Sequence, residues 1–171
     1  MYHKLAYRTT FQGLPISIEN KAGSYRHWWD PKADEKGKTK MLYPYGYVRG
    51  TLGLDGDEVD VYIGPDKDAE KVYVITQLQR FEFEKVDEQK VMLGFSNSVT
   101  AKTAYLQHFN DARFFGDMKE MTMDEFKAKL KNKKGKLIKS QMPLYLHKSV
   151  LNSNMPGRPN LYLDLEKYEK K

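Results

Sequence analysis

The sequence predicts an α+β fold in which a small mixed or antiparallel β-barrel carries flanking α-helices. Three observations lead there. Up to Phe95 the apolar residues alternate with period two in short runs, as strands half-buried in a sheet require. From Ser98 onward the spacing becomes helical, and strands followed by helices is the order of an α+β domain. The length of 171 residues suits one domain spanning 1–171, able to bury about two-thirds of its unfolded surface without staples.

The elements follow in chain order. PISIEN (15–20) reads as a first strand, and the polar, glycine-containing segment 21–40 as a loop or frayed hairpin. MLYPYGYV (41–48) is aromatic and β-rich, but Pro44 interrupts it and predicts an edge or irregular strand. EVDVYI (58–63) puts Val59, Val61 and Ile63 on one face and Asp60 and Tyr62 on the other. KVYVITQL (71–78) and KVMLGF (90–95) are further strands joined by QRFEFEKVDEQ. SVTAKTAYLQHF (98–109) predicts a helix bearing Ala101, Ala104, Tyr105 and His108, with Asn97 or Ser98 as its cap. TMDEFKAKL (122–130) opens with Thr122 and Glu125 in capping-box spacing and carries Met123, Phe126 and Leu130 on one side.

Composition narrows the chemistry. There is no cysteine, so thiolate metal sites, thiol nucleophiles and disulfides are excluded, in keeping with a reducing cytoplasm. The N-terminal MYHKLAYRTTFQG lacks a signal-peptide core and no apolar run reaches membrane-spanning length; the expectation is a soluble, cytoplasmic protein. The net charge of +6 is concentrated in KAKLKNKKGKLIK (127–139), with seven lysines. That run reads as a solvated helix end and loop, with polyanion binding as the alternative.

Negative charge is concentrated in DGDEVD (55–60), where Asp55, Asp57 and Asp60 crowd into six positions. Carboxylates so close raise one another's pKa unless a cation compensates them. Oxygen donors without cysteine or spaced histidines favour a hard ion, Mg²⁺ or Mn²⁺, over zinc. Gly56 lets the chain turn between Asp55 and Asp57, and Asp60 points back from the strand. The EF-hand pattern is not met, and spacing alone leaves a metal site and a solvated turn as equal readings. Plainer readings stand beside the other candidates: Tyr43, Tyr45 and Tyr47 as packed aromatics, Lys90 as a solvated strand end, and Trp28 and Trp29 as either a contact surface or a buried corner. His3, His27, His108 and His147 have no ligand spacing.

Asp55-Gly56-Asp57-Glu58-Val59-Asp60-Val61 resembles, at every position, the acidic motif of the soluble type I inorganic pyrophosphatases, D-(S/G/D/N)-D-(P/E)-apolar-D-apolar. The preceding YGYVRGTLGL resembles that family's Tyr-Gly-Tyr approach. GLPISIEN (13–20), KMLYPYGY (40–47), DGDEVDVYIGPDKDAE (55–70), DEQKVMLGF (87–95), AYLQHF (104–109), RFFGDM (113–118) and MTMDEFK (121–127) are similar to the pyrophosphatase-like domains of bacteriophages, found alone or in polyvalent phage proteins. The resemblance covers about residues 10–130 and leaves 140–171 as a C-terminal extension. It implies an OB-like barrel of pyrophosphatase type and, for a phage protein, the host cytoplasm.

The resemblance also implies roles. Asp55 and Asp60 match metal-ligating aspartates, Asp57 matches the acid that takes the proton of the attacking water beside the metals, and Glu19 matches a glutamate at the start of the site. Lys90 matches a basic residue of the site, Arg26 lies where a phosphate-binding lysine is expected, and Tyr43 or Tyr45 match phosphate-contacting tyrosines. Lys38, Lys40 or Arg49 would replace the family's phosphate-binding arginine. The family carries an Asp two residues before the lysine and another five earlier, where this chain has Glu88 and Phe83; Glu82, Glu84 or Asp87 would substitute by a shift of register. Tyr145 with Lys148, His108 and Arg113 are candidates for the late part of the site. The implied cofactor is two or more Mg²⁺, with Mn²⁺ as the alternative, held by Asp55, Asp57, Asp60, Glu19 and Asp87 or Glu88. The expected reaction is hydrolysis of pyrophosphate to phosphate, which in a phage pulls nucleotide polymerisation forward. The alternatives are metal-dependent hydrolysis of a nucleotide or other phosphorylated compound, and a non-catalytic binding or assembly protein using lysines 127–139 and the tail toward nucleic acid or a partner. The tail's LYLDL is a candidate strand for a homo-oligomer edge.

Overall fold

The computed structural model describes residues 4–53 and 55–130. Nine strands and two helices follow one another: β1 (Tyr7–Phe11), β2 (Leu14–Asn20), β3 (Tyr25–Asp30), β4 (Glu35–Lys40), β5 (Tyr45–Val48), β6 (Val59–Ile63), β7 (Lys71–Leu78), β8 (Val86–Leu93), α1 (Ser98–Leu106), β9 (Phe115–Thr122) and α2 (Met123–Leu130). Seven strands form one sheet in the order β1-β2-β5-β6-β8-β7-β9, and β3 and β4 form a separate hairpin. Among the described strands only β6 and β8 pair in parallel, so the sheet is mixed. Its ladder runs from β1 to β9 without closing, giving an open form of the small OB-like α+β architecture. No described helix is long and apolar enough to cross a membrane.

The alternation in β6 sorts the protein into two layers. Val59 and Val61 join Ile16, Ile18, Val48, Val74 and Val91 in one buried cluster, which α2 covers with Met123, Phe126 and Leu130. Tyr62, from the opposite face, joins Tyr45, Tyr73, Ile75 and Met92 in a second cluster covered by Ala101, Ala104 and Tyr105 of α1. Both helices start at reciprocal caps. Asn97 accepts from the Thr100 N–H while Thr100 accepts from the Asn97 N–H, and Thr122 and Glu125 do the same ahead of α2, satisfying backbone donors the helices leave free.

Several elements depart from expectation. β5 is an interior strand between β2 and β6, not an edge, because Pro44 precedes it and its missing N–H costs no ladder bond; the Pro44 carbonyl even accepts from the Ile63 N–H at 2.9 Å. Residues 25–40 are a regular hairpin, the second of the two readings for 21–40. β8 begins at Val86 because Glu88 and Gln89 pair with Gln77 and Thr76 of β7. The outer strands β1 and β9 were not foreseen. All but Phe11 of β1 is exposed, and β9 buries only Met121 fully, so neither shows the apolar alternation of a half-buried strand. Gly46 answers a packing demand: a Cβ there would stand 1.9 Å from the Ser17 carbonyl oxygen, so only glycine lets β5 approach β2. The expectations for residues 131–171, including Tyr145, Lys148, His147, LYLDL and most of the lysine run, and for His3, lie outside the described residues.

Candidate active site

The central strands bring the charged residues together by register. Tyr47 faces Asp60 across β5–β6, and Asp60 faces Lys90 across the parallel β6–β8 pair. Two residues along the same strands, and so on the same face, Tyr45 faces Tyr62. Residues directly opposite share a sheet face, so Asp60, Lys90, Tyr45 and Tyr62 look away from the apolar core toward α1.

Lys90 is the hub. Its side chain is 3% exposed, and its ammonium donates to the Tyr45 hydroxyl at 2.8 Å, to Asp60 Oδ2 and to Glu88 Oε2 at 2.8 Å. The Tyr45 hydroxyl donates to the same Asp60 oxygen. Gln77 extends the network, its amide reaching Glu88 Oε1 at 3.1 Å and Asp87 Oδ2 at 3.2 Å, while its carbonyl accepts from Tyr105 at 3.1 Å. Every buried charge therefore has partners, as burial demands.

The titration directions follow from this packing. Burial pulls the Lys90 pKa down, but Asp60 and Glu88 outweigh it and hold the ammonium charged. Burial raises Asp60, yet Lys90, the Tyr45 hydroxyl and Arg26 keep it below its ordinary value. Glu88 is pushed up to about 7, first by burial and then by Asp60 and Asp87, against the pull of Lys90. Burial pushes Tyr62 to about 12 and Tyr45 well above its usual value. Asp60 and Glu88 thus share Lys90, and Arg26 adds a second positive charge beside them.

The other acids of the motif lie on the turn that precedes β6. Asp55 and Asp57 are exposed on a turn held by the Asp57 N–H on Asp55 Oδ1 (3.1 Å) and the Gly53 N–H on the Asp57 carbonyl (2.5 Å). Gly56 takes φ +93° there, a conformation that favours glycine. Partial burial, followed by Asp60 and Asp57, raises Asp55, so the three aspartates lie within electrostatic reach of one another. Among the described residues no three acidic or imidazole side chains already converge as a metal cage.

Arg26 comes from the β3–β4 hairpin, its guanidinium carbon 4.9 Å from the Tyr45 ring centroid. Burial lowers its pKa, but Tyr45, Asp60, Tyr62 and Glu88 together raise it. The hairpin is clasped by Arg80 of the β7–β8 loop, which pairs with Asp30 at 3.1 Å and with Glu35. Its guanidinium lies 5.9 Å from Trp28 and 4.8 Å from Phe81. Phe81 has φ +69° and is 63% exposed, a strained position for a bulky residue.

The structure thus brings Arg26, Tyr45, Asp60, Glu88 and Lys90 together, with Asp55 and Asp57 at the edge and Asp87 linked through Gln77. It does not gather all the candidates. Lys40 and Lys38 are exposed on the hairpin face opposite Arg26, because alternation along β4 turns Thr39 inward instead. Arg49 donates to the Ile16 carbonyl at 2.7 Å, tying β5 to β2. Tyr43 packs edge-on against Phe95, with centroids 5.1 Å apart. Glu19 is half-buried at a bulge between β2 and β5. Glu82 is paired with Lys85, Phe83 packs on Phe114 and beneath Arg113, and Glu84 is exposed, so Glu88 is the acid of 82–88 that meets Lys90. Lys90 is buried mid-sheet, contrary to the plainer reading of a solvated strand end. His108 accepts from the Leu42 N–H at Nε2 (3.0 Å) and bonds the Ala104 carbonyl through Nδ1 (2.7 Å), a structural anchor. Gln77, Tyr105 and Arg80 were not foreseen; a polar Gln late in an apolar strand was the signal for the first.

Residues 2–131 match the family model described as Inorganic Pyrophosphatase. No curated protein and no solved structure matches the chain.

Proposed function

The chain belongs to the inorganic pyrophosphatase family, and from that premise we propose that it hydrolyses pyrophosphate to two phosphates with the help of Mg²⁺. The observation that carries this reading is the Asp60–Lys90–Tyr45–Glu88 cluster with Asp55 and Asp57 exposed on the turn leading into β6. The donors fit a hard divalent ion: all are carboxylate oxygens, and burial together with the neighbouring Asp60 raises both Glu88 and Asp55, a cost that a cation among them would offset. Asp55, Asp57, Asp60 and Glu88 would hold it, with Asp87 and Glu19 as outer candidates; Mn²⁺ would suit the same donors. When bound, the ion neutralises phosphoryl oxygens and makes water acidic enough to attack at neutral pH.

The chain's own residues do the rest. Asp57, exposed on the turn, takes the proton of the attacking water as general base. Arg26, whose guanidinium stands beside Tyr45, holds the phosphoryl oxygens through charge-assisted hydrogen bonds, while Lys90, its three donors directed at Tyr45, Asp60 and Glu88, fixes the acids and adds positive charge. Tyr45, kept protonated by burial, directs its hydroxyl proton at Asp60 and so holds that carboxylate in position. Each turnover consumes one water and releases two phosphates, which removes a product of nucleotide polymerisation.

Phosphate release with Mg²⁺ from pyrophosphate, nucleoside triphosphates and sugar phosphates tests the reading. Pyrophosphate turnover lost in Asp57→Asn supports it. Turnover of another phosphate alone, or none, overturns it.

A further inference from the structure

The β3–β4 hairpin has a second face that the site does not use. Arg26, Trp28 and Asp30 turn toward the sheet and the Arg80 clasp. On the outer side Tyr25, His27 and Trp29 stand directly opposite Lys40, Lys38 and Lys36, and all six are exposed. Trp29 is 56% and Tyr25 48% exposed. Each rung therefore sets a flat ring against an ammonium, and neither strand places an acidic residue on this face. The Lys38 ammonium lies 4.7 Å from the Tyr25 ring centroid, so cation and ring are already side by side.

We propose that this outer face binds single-stranded nucleic acid, with bases stacked on the rings and phosphates held by the lysines. Stacking on aromatic rings within a basic track is the general means of holding single strands irrespective of sequence. Spacing argues against a duplex. Rungs recur every second residue, about 6.8 Å along a strand, whereas stacked bases in a duplex rise about 3.4 Å, so only an extended, unstacked strand offers one base per rung. Aliphatic side chains are missing from the face, which gives a lipid surface little to anchor on. The inner side stiffens the platform: the Trp28 ring lies so close over Gly37 that a Cβ there would meet it at 2.3 Å, and the Trp28 indole donates to Thr39 at 3.2 Å. A preformed surface loses less freedom on binding.

Fluorescence anisotropy of labelled twelve-nucleotide oligo(dT) with the full chain tests this, with a duplex of equal length and phosphatidylserine vesicles as competitors. Trp29→Ala is expected to weaken binding about 5- to 100-fold, with Trp29→Phe restoring most of it. The Lys36→Glu/Lys38→Glu pair is expected to lower the salt slope by about 1.4, two phosphate contacts at roughly 0.7 each. These positions are exposed, so circular dichroism should be unchanged, and pyrophosphate turnover should match the parent protein whether or not the hydrolase reading holds. Absent oligonucleotide binding, or binding indifferent to all three variants, overturns the proposal; the second result would place the contact in lysines 127–139. Tighter binding of duplex, or displacement by vesicles, overturns it as well.

Discussion

Asp57 and Asp60 belong to one motif and end in opposite environments. Asp60 is fixed in a central strand, bonded to Lys90 and Tyr45 and held ionised by them. Asp57 is exposed on a glycine turn, its backbone N–H and carbonyl both engaged there. A carboxylate locked in a buried network holds its charge but has little freedom to exchange protons, whereas an exposed one accepts a proton at little structural cost. On the proposed reading the motif divides its work: the strand end holds charge in place, and the turn end meets water and ions.

The largest effect should come from breaking the buried half. Lys90→Met leaves Asp60 and Glu88 as buried charges without their cation, and urea unfolding should show a loss of about 3–5 kcal/mol. A loss under 1 kcal/mol would mean that solvent already compensates those acids. The open half should behave the other way. Asp57→Asn should lower pyrophosphate turnover by about 10²–10⁴-fold while unfolding stays within about 0.5 kcal/mol of the parent.

Smaller effects sharpen the contrast. Arg80→Ala removes the clasp that seats Arg26, so KM should rise roughly three- to tenfold with kcat nearly unchanged; a selective fall in kcat would place Arg80 elsewhere in the mechanism. His108 supplies the smallest term. Burial lowers its pKa against two backbone hydrogen bonds, so it is neutral in the fold, while in the unfolded chain it protonates near 6.5. The unfolded state then binds the extra proton as pH falls below about 6.5, and stability present above that value should drop by at most about 1.4 kcal/mol per pH unit. His108→Gln should remove that component of the pH profile.

Local patterns were readable where local forces decide the structure. The alternation of EVDVYI sorted Val59 and Val61 from Asp60 and Tyr62 because each face of the sheet buries a different cluster. The Thr122–Glu125 box marked the start of α2 because capping acts over three residues. The acidic motif was legible for the same reason, its glycine and aspartates lying within one turn and one strand. Burial of Lys90 was not, since a lysine reads as solvated until Tyr45 and Asp60, 45 and 30 residues away, are seen to receive it. Arg80 was hidden likewise, its partners Asp30 and Glu35 lying 50 and 45 residues away on a separate hairpin. β1 and β9 escaped notice because outer strands bury too little to show a period. The positions of Lys40, outside the Arg26 face of the hairpin, and Arg49, on the Ile16 carbonyl, were not legible because which way a side chain turns depends on register, not on proximity in sequence.

Calorimetric titration of Mg²⁺ into the parent protein and into the Asp55→Asn/Asp57→Asn variant, which leaves the Asp60–Lys90 pair intact, bears most directly on the central claim that divalent ions compensate the clustered acids. Saturable binding at millimolar Mg²⁺ in the parent, lost or greatly weakened in the variant, is the predicted result. No binding heat in the parent, or the same isotherm in both proteins, would contradict it.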